Sequence, residues 1–289
     1  MKFGINNPSF LQSAGNGLRM QETRFILSDG KDGLDLSANG SVTIVSIQNG
    51  AKVRQEYSDL DKTYVNINSD SGTVIILYGN VTAINDEYQG NLFSMIDTTK
   101  NTELTSLCCP SCTDLSSLDL SNNIKLDYLD CMGCAGLSSL DLSNNTELKE
   151  IACDDCTSLS SLNLSQNIKL EFLSCSNCTS ISSLDLSKNN MLTTAYLTDC
   201  SGLRSLNIKN TQNLNDGIIL KWPNGELMVT DLIVAGTSTW SYNEIVEWLD
   251  DDDSPEYGTI IIDDNTPQDV ITKAQAKGWT VQEYSGDNF

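Results

Sequence analysis

Ten cysteines, all between Cys108 and Cys200, carry the most chemical potential in this 289-residue chain. Four pairs spell C-x-x-C: Cys109/Cys112, Cys131/Cys134, Cys153/Cys156 and Cys175/Cys178. Met in isolation, that spacing belongs to zinc sites and to dithiol redox centres. The chain has no histidine, the commonest general base and transition-metal ligand. Acidic clusters at Asp250–Asp253 and at Asp29, Asp32 and Asp35 could attract calcium. Neither has the full spacing of a calcium loop, and a solvated acidic segment is the simpler reading. A serine–base pair, a phosphate loop and a dinucleotide fingerprint are all missing. The expectation is a protein that is not an enzyme, with no catalytic residue, no metal and no cofactor.

What positions the cysteines is a repeat. Leu104, Leu115, Leu126, Leu137, Leu148, Leu159, Leu170, Ile181, Leu192, Leu203 and Leu214 return every eleven residues without a slip. Most open the nine-residue phrase L-x-x-L-x-(L/C)-x-x-(N/C). Two phrases make a 22-residue coil, one half reading as LDYLDCMGC and the other as LSSLDLSNN. A fixed period of this kind predicts a stacked solenoid, with two short parallel strands per coil. The first, fourth and sixth positions point inward and the ninth turns the chain. Stacking at about 4.8 Å turns equivalent residues into columns, such as Leu118, Leu140, Leu162, Leu184 and Leu206.

Within that frame the cysteines read differently. Cys109, Cys131, Cys153 and Cys175 hold the inward sixth position, where the other half has leucine. Cys112, Cys134, Cys156, Cys178 and Cys200 hold the ninth, where the other half has Asn123, Asn145, Asn167 and Asn189. Free cysteine packs as a small hydrophobe. In-register stacking points successive Cβ atoms the same way, a poor geometry for disulfides. A reduced thiol ladder is therefore the first reading, with metal and redox roles behind it. Cys108 is expected on the outward side. An asparagine in the ninth position is expected to bond backbone groups of the coils above and below.

Outside the array the pattern changes. Residues 1–80 show period-two apolar runs bounded by DG, NG and SG pairs, which predict a β-rich N-terminal cap. Residues 81–228 form the solenoid, with Phe93, Ile96 and Asn101 already in register. Residues 229–289 predict a β/α cap. There, SYNEIVEWLDD from Ser241 carries a capping-box helix. TPQDVITKAQAKG gives a second helix closed by Gly278, and WTVQEY gives a last strand.

Charge narrows the partners. Seventeen basic residues face 39 acidic ones, for a net charge of −22. A nucleic-acid backbone or an anionic membrane surface is repelled. No stretch reaches the length of a membrane span. The opening MKFGINNPSF carries no charged and apolar leader. Two routes fit: a mature secreted chain with a replaced start, or delivery by another path such as a phage virion.

The repeat also offers an internal comparison. On the LDLS half the outward residues barely change: Ser117, Ser139, Ser161 and Ser183, then Asp119, Asp141, Asn163, Asp185 and Asn207. On the cysteine half they vary, which makes that half the candidate binding face. The residues expected to bind are Tyr128, Asp130, Met132, Glu150, Asp154, Phe172, Ser174 and Tyr196. Exposed aromatics on a polar face act as contact anchors. A plainer role, covering a neighbour's apolar edge, stands beside that one. Stacked Asp119 and Asp141 are expected to repel each other.

The phrases LSSLDLSNNTELKEIAC and LSSLNLSQNIKLEFLSC, with the tail AKGWTV, resemble leucine-rich-repeat proteins of the short-repeat type. Such proteins occur on the surface of gut anaerobes and in their phages. The resemblance covers roughly residues 81–289 and implies a right-handed leucine-rich-repeat solenoid that contacts a protein or glycan, usually without catalysis. It implies an extracellular or cell-surface location, with a virion as the alternative. The alternative function is a structural virion or assembly component that uses the β cap as its docking module. Cysteine at the ninth position, where the family more often has asparagine, departs from the pattern.

Overall fold

The computed structural model describes residues 22–27, 33–48, 51–58, 63–66, 74–85, 93–214, 217–219, 231–233, 259–262 and 266–283. The first helix expected of the C-terminal cap, from Ser241, lies outside these, as do Asp29, Asp32 and Asp250–Asp253.

The described chain is a parallel β-solenoid of 22-residue coils. Along the cysteine half, three-residue strands stack in register: β7 (Ser106–Cys108), β8 (Tyr128–Asp130), β9 (Glu150–Ala152), β10 (Phe172–Ser174), β12 (Thr194–Tyr196) and β14 (Gly217–Ile219). Leu107, Leu129, Ile151, Leu173 and Ala195 are successive register partners, all fully buried. Burying one leucine stabilises by roughly 1.5–3 kcal/mol. A single coil leaves that edge open to water, so each coil is stable only with its neighbours.

The LDLS half departs from the expected second strand. Regular strands begin only at β11 (Ser183–Asp185) and continue through β13 (Ser205–Asn207), β15 (Asp231–Ile233), β16 (Thr259–Ile262) and β17 (Thr280–Glu283). Earlier coils hold one isolated bridge there, Leu140 to Leu162. Their leucines are nonetheless buried and aligned.

The N-terminal strands are antiparallel: β1 (Glu22–Leu27), β2 (Gly33–Gln48), β3 (Ala51–Ser58), β4 (Thr63–Asn66), β5 (Val74–Asn85) and β6 (Phe93–Asp97). Strand β5 joins the two regimes. It pairs antiparallel with β1 and β2, then parallel with β7 through Ala83–Asn85. At the other end, α1 (Gln268–Ala276) packs Val270 and Ala274 into the core, and β17 extends the sheet beyond β16. Gly278 follows the helix with φ 84°, a conformation that glycine adopts without a Cβ clash.

Candidate functional site

The two halves of a coil hold to their neighbours by different atoms. On the LDLS half the turn closes on itself: the Asn145 N–H donates to its own Leu142 carbonyl at 3.0 Å. In the coils before β11, the contact between coils at this turn falls to the side chain. Asn145 Nδ2 donates to the Leu120 carbonyl at 3.0 Å and to the Asn123 carbonyl at 2.9 Å. Asn167 and Asn189 repeat both bonds one coil further each. The bonds run only to the preceding coil, which corrects the expectation of contacts above and below. An amide offers its two donors on one nitrogen, and both preceding carbonyls lie on that side.

On the cysteine half the backbone does this work. Residues at the eighth position adopt the left-handed conformation: Ser111, Asp155, Asn177 and Asp199 at φ 56–60°, and Gly133 at 70°. Asp, Asn and Gly tolerate it best. The turn then aims an N–H at the next coil: Gly133 to the Asp154 carbonyl (2.7 Å), Asp155 to Ser176 (2.9 Å) and Asn177 to Thr198 (2.7 Å). Ser111 donates likewise to the Met132 carbonyl. One donor from the ninth side chain is enough to complete the turn. Cys134, Cys156, Cys178 and Cys200 supply it, each Sγ donating to the sixth-position carbonyl of the preceding coil at 3.0–3.2 Å.

All ten cysteines are free and buried. Hydrogen bonding to Cys156 and burial push the Cys131 thiol well up, and bonding to Cys153 and burial do the same for Cys175. Hydrogen bonds from Cys153 and Cys175 draw Cys178 the other way, to about 5. Its own bond to the Cys153 carbonyl, at 3.1 Å, needs the proton on sulfur. With no cation in the column, the neutral thiol is the form this geometry holds. Among the described residues no group of three or more His, Cys, Asp or Glu side chains is placed to hold a metal. Cys108, expected outward, is instead buried, with Sγ 3.4 Å from Asp130 Oδ2. Strand β5 of the cap pairs with β7 here, Asn85 being the register partner of Cys108.

The candidate contact residues divide into three kinds. Tyr128, Glu150, Phe172 and Thr194 form one outward column across successive strands, with Glu150 between the two rings. Phe172 meets Tyr196 of the next coil edge to face, ring centroids 5.6 Å apart. Tyr128 stands two coils from Phe172, so the three aromatics form a pair and a single ring. Met132 is 40% exposed and Glu150 is exposed, whereas Ser174 is only 8% exposed. Ser174 Oγ donates to Asp154 Oδ1 at 2.7 Å, and the Ser176 N–H donates to the same oxygen at 2.8 Å. Asp130 Oδ1 accepts the Met132 N–H at 3.0 Å. Ser174, Asp154 and Asp130 thus shape the surface, while Tyr128, Glu150, Met132, Phe172 and Tyr196 present it.

On the opposite half, Asp119 and Asp141 border a shallow hollow of about 250 Å³ lined by Ser117, Ser139, Ser143 and Asn144. Each carboxylate accepts the N–H two residues on, from Ser121 and Ser143, at 3.0 Å. These bonds to Ser121 and Ser143 hold both carboxyls below the usual range. The expected mutual repulsion is outweighed locally. Asn163, Asp185 and Asn207 make the same bond.

No family model matches the chain, and no curated protein matches it. Among solved structures it is similar to the functional domain of InlJ from Listeria monocytogenes, which includes a cysteine ladder, at 17% identity and TM-score 0.24. That likeness covers 63% of this chain and 64% of the other, so this chain spans a little under two thirds of that one. It is also similar to an internalin, inlF, from Listeria monocytogenes str. 4b F2365, at 14% identity and TM-score 0.24, covering 71% and 82%. The fold assignment itself rests on the strand register of this chain.

Proposed function

We propose that this protein is a non-catalytic binding protein that contacts a macromolecular partner at a cell surface through the cysteine-half face. The observation that carries the reading is the variation of the outward residues on one half of each coil against their constancy on the other. Outward positions on β8, β9, β10 and β12 pass from Tyr128 and Asp130 to Glu150 and Ala152, Phe172 and Ser174, then Thr194 and Tyr196. The backbone beneath them is the same throughout. Variable side chains on a rigid parallel sheet suit recognition, because their spacing is fixed before a partner arrives. Phe172, Tyr196, Tyr128 and Met132 are the side chains best suited to anchor it.

The test presents the full chain to arrays of extracellular proteins and of glycans, then repeats it with Tyr128→Ser, Phe172→Ser and Tyr196→Ser combined. The expected result is a protein partner whose binding falls at least about tenfold, with melting behaviour retained. Arg54→Ser with Glu56→Ser on β3 serves as the control, since both residues are exposed on the cap. Binding that survives the triple change and is lost on the β3 change would overturn the reading in favour of a cap-docked assembly component.

A further inference from the structure

The charge on the candidate face differs from the charge on the edge beside it. Along that edge Lys125 Nζ meets Glu103 at 2.7 Å and Lys169 Nζ meets Glu147 at 2.6 Å, each pair bridging adjacent coils. Acid and base alternate there and cancel. On the cysteine-half segments 127–133, 149–155, 171–177 and 193–199 they do not. Asp127, Asp130, Glu150, Asp154, Asp155, Glu171 and Asp199 stand against Lys149 alone. Asp130 spends both oxygens on local hydrogen bonds, and Asp154 and Asp155 spend one each. Among the described residues, Glu150 has an exposed carboxylate with no hydrogen-bond or ion-pair partner. It lies in register between Tyr128 and Phe172, one strand from each.

We propose that this face docks an arginine-bearing segment of a basic protein, with a guanidinium seated on Glu150 between the rings of Tyr128 and Phe172. The inference rests on the face being the binding surface and names the chemistry of the partner. A carboxylate accepts both N–H bonds of a guanidinium fork, and an aromatic ring on the strand to either side offers a π system on which a planar cation can stack. A lysine ammonium can pair with Glu150 but cannot stack in the same way. The surrounding carboxylates raise the local concentration of a cationic partner and speed its encounter. An acidic or neutral partner would bury the same carboxylates without compensation.

Calorimetry with two synthetic peptides, alternating arginine–glycine and alternating lysine–glycine, tests this on the full chain at low salt. The arginine peptide is expected to bind about threefold or more tightly than the lysine peptide. Glu150→Gln should weaken the arginine peptide about fivefold, while Asp185→Asn, the same charge change on the other face, should leave it within about twofold. Phe172→Leu should abolish the preference for arginine. Equal affinity for both peptides, equal loss from Glu150→Gln and Asp185→Asn, or no binding would overturn the inference. Failure here is separable from failure of the face reading. A partner on the arrays that is acidic or a glycan, yet lost on the triple aromatic change, leaves the face standing and removes the arginine.

Discussion

Asn167→Asp puts an acceptor where two carbonyls need a donor. Asn167 is fully buried, and its Nδ2 donates to the Leu142 carbonyl at 3.1 Å and the Asn145 carbonyl at 2.9 Å. A carboxylate of nearly the same shape cannot donate, and its column neighbours Asn145 and Asn189 bring no charge to pair with it. The variant must therefore fold with the acid protonated. Holding it so at pH 7, against an unperturbed pKa of about 3.9, costs about 1.4 kcal/mol per pH unit, or roughly 4 kcal/mol. One O–H replaces two N–H donors, which adds about 1 kcal/mol. A total near 5 kcal/mol is comparable with the whole stability of a modest domain, about 5–15 kcal/mol. The folded-state pKa is raised above the unfolded value, so the native state binds the proton more tightly and the penalty grows as pH rises from about 4. At pH 5 the protonation part should fall to roughly 1.5 kcal/mol. The assay is urea unfolding followed by circular dichroism at both pH values. Asn144→Asp is the control, because Asn144 is exposed and donates once, to the Ser121 carbonyl at 3.1 Å. A penalty for Asn167→Asp that is indifferent to pH, or no larger than the control, would refute the donor role of this column.

Three further outcomes are expected. Thiol titration after denaturation without reductant should find nearly all ten cysteines free, because each is buried and none is joined in a disulfide; several disulfides or stoichiometric zinc would contradict the ladder. Thermal stability should rise from low to high sodium chloride, since salt at 1 M, with a Debye length of about 3 Å, screens the repulsion behind the net −22 charge. Asp141→Asn should then be close to neutral at every salt concentration, because an amide oxygen can accept the Ser143 N–H as Asn163 accepts that of Ser165. A melting temperature that ignores salt, or a marked loss on Asp141→Asn, would sink that account and point to a bound cation.

Most of the coil was legible because leucine at every eleventh position can satisfy only one winding. Leu104 through Leu214 are all buried, and so are the cysteines and asparagines at the ninth position. What escaped depends on three-dimensional neighbours. The one-sided asparagine bonds follow from where the preceding carbonyls lie, which no spacing encodes. Cys108 is buried because β5 of the cap lies against it, a contact made by a strand more than twenty residues earlier. Ser174 sits at an outward strand position, yet Asp154 from the preceding coil covers and binds it. A usable signal for the left-handed turn was present. Position eight reads Ser111, Gly133, Asp155, Asn177 and Asp199 on the cysteine half, a set rich in residues that accept positive φ.

That turn also explains why one face of the solenoid is free to vary. On the LDLS half before β11, cohesion rests mainly on side chains: the buried asparagines join the coils, and the outward Asp or Asn at position five caps the following turn. Changing those residues removes bonds that the fold uses, so Asp119, Asp141, Asn163, Asp185 and Asn207 remain close relatives. On the cysteine half the strands and the left-handed turn join the coils through backbone atoms, which every residue possesses. Outward position three there is tyrosine, glutamate, phenylalanine or threonine in successive coils without breaking a rung. A surface whose cohesion comes largely from backbone is free to vary in composition, and in this chain it carries the rings of Tyr128, Phe172 and Tyr196 and the exposed Glu150.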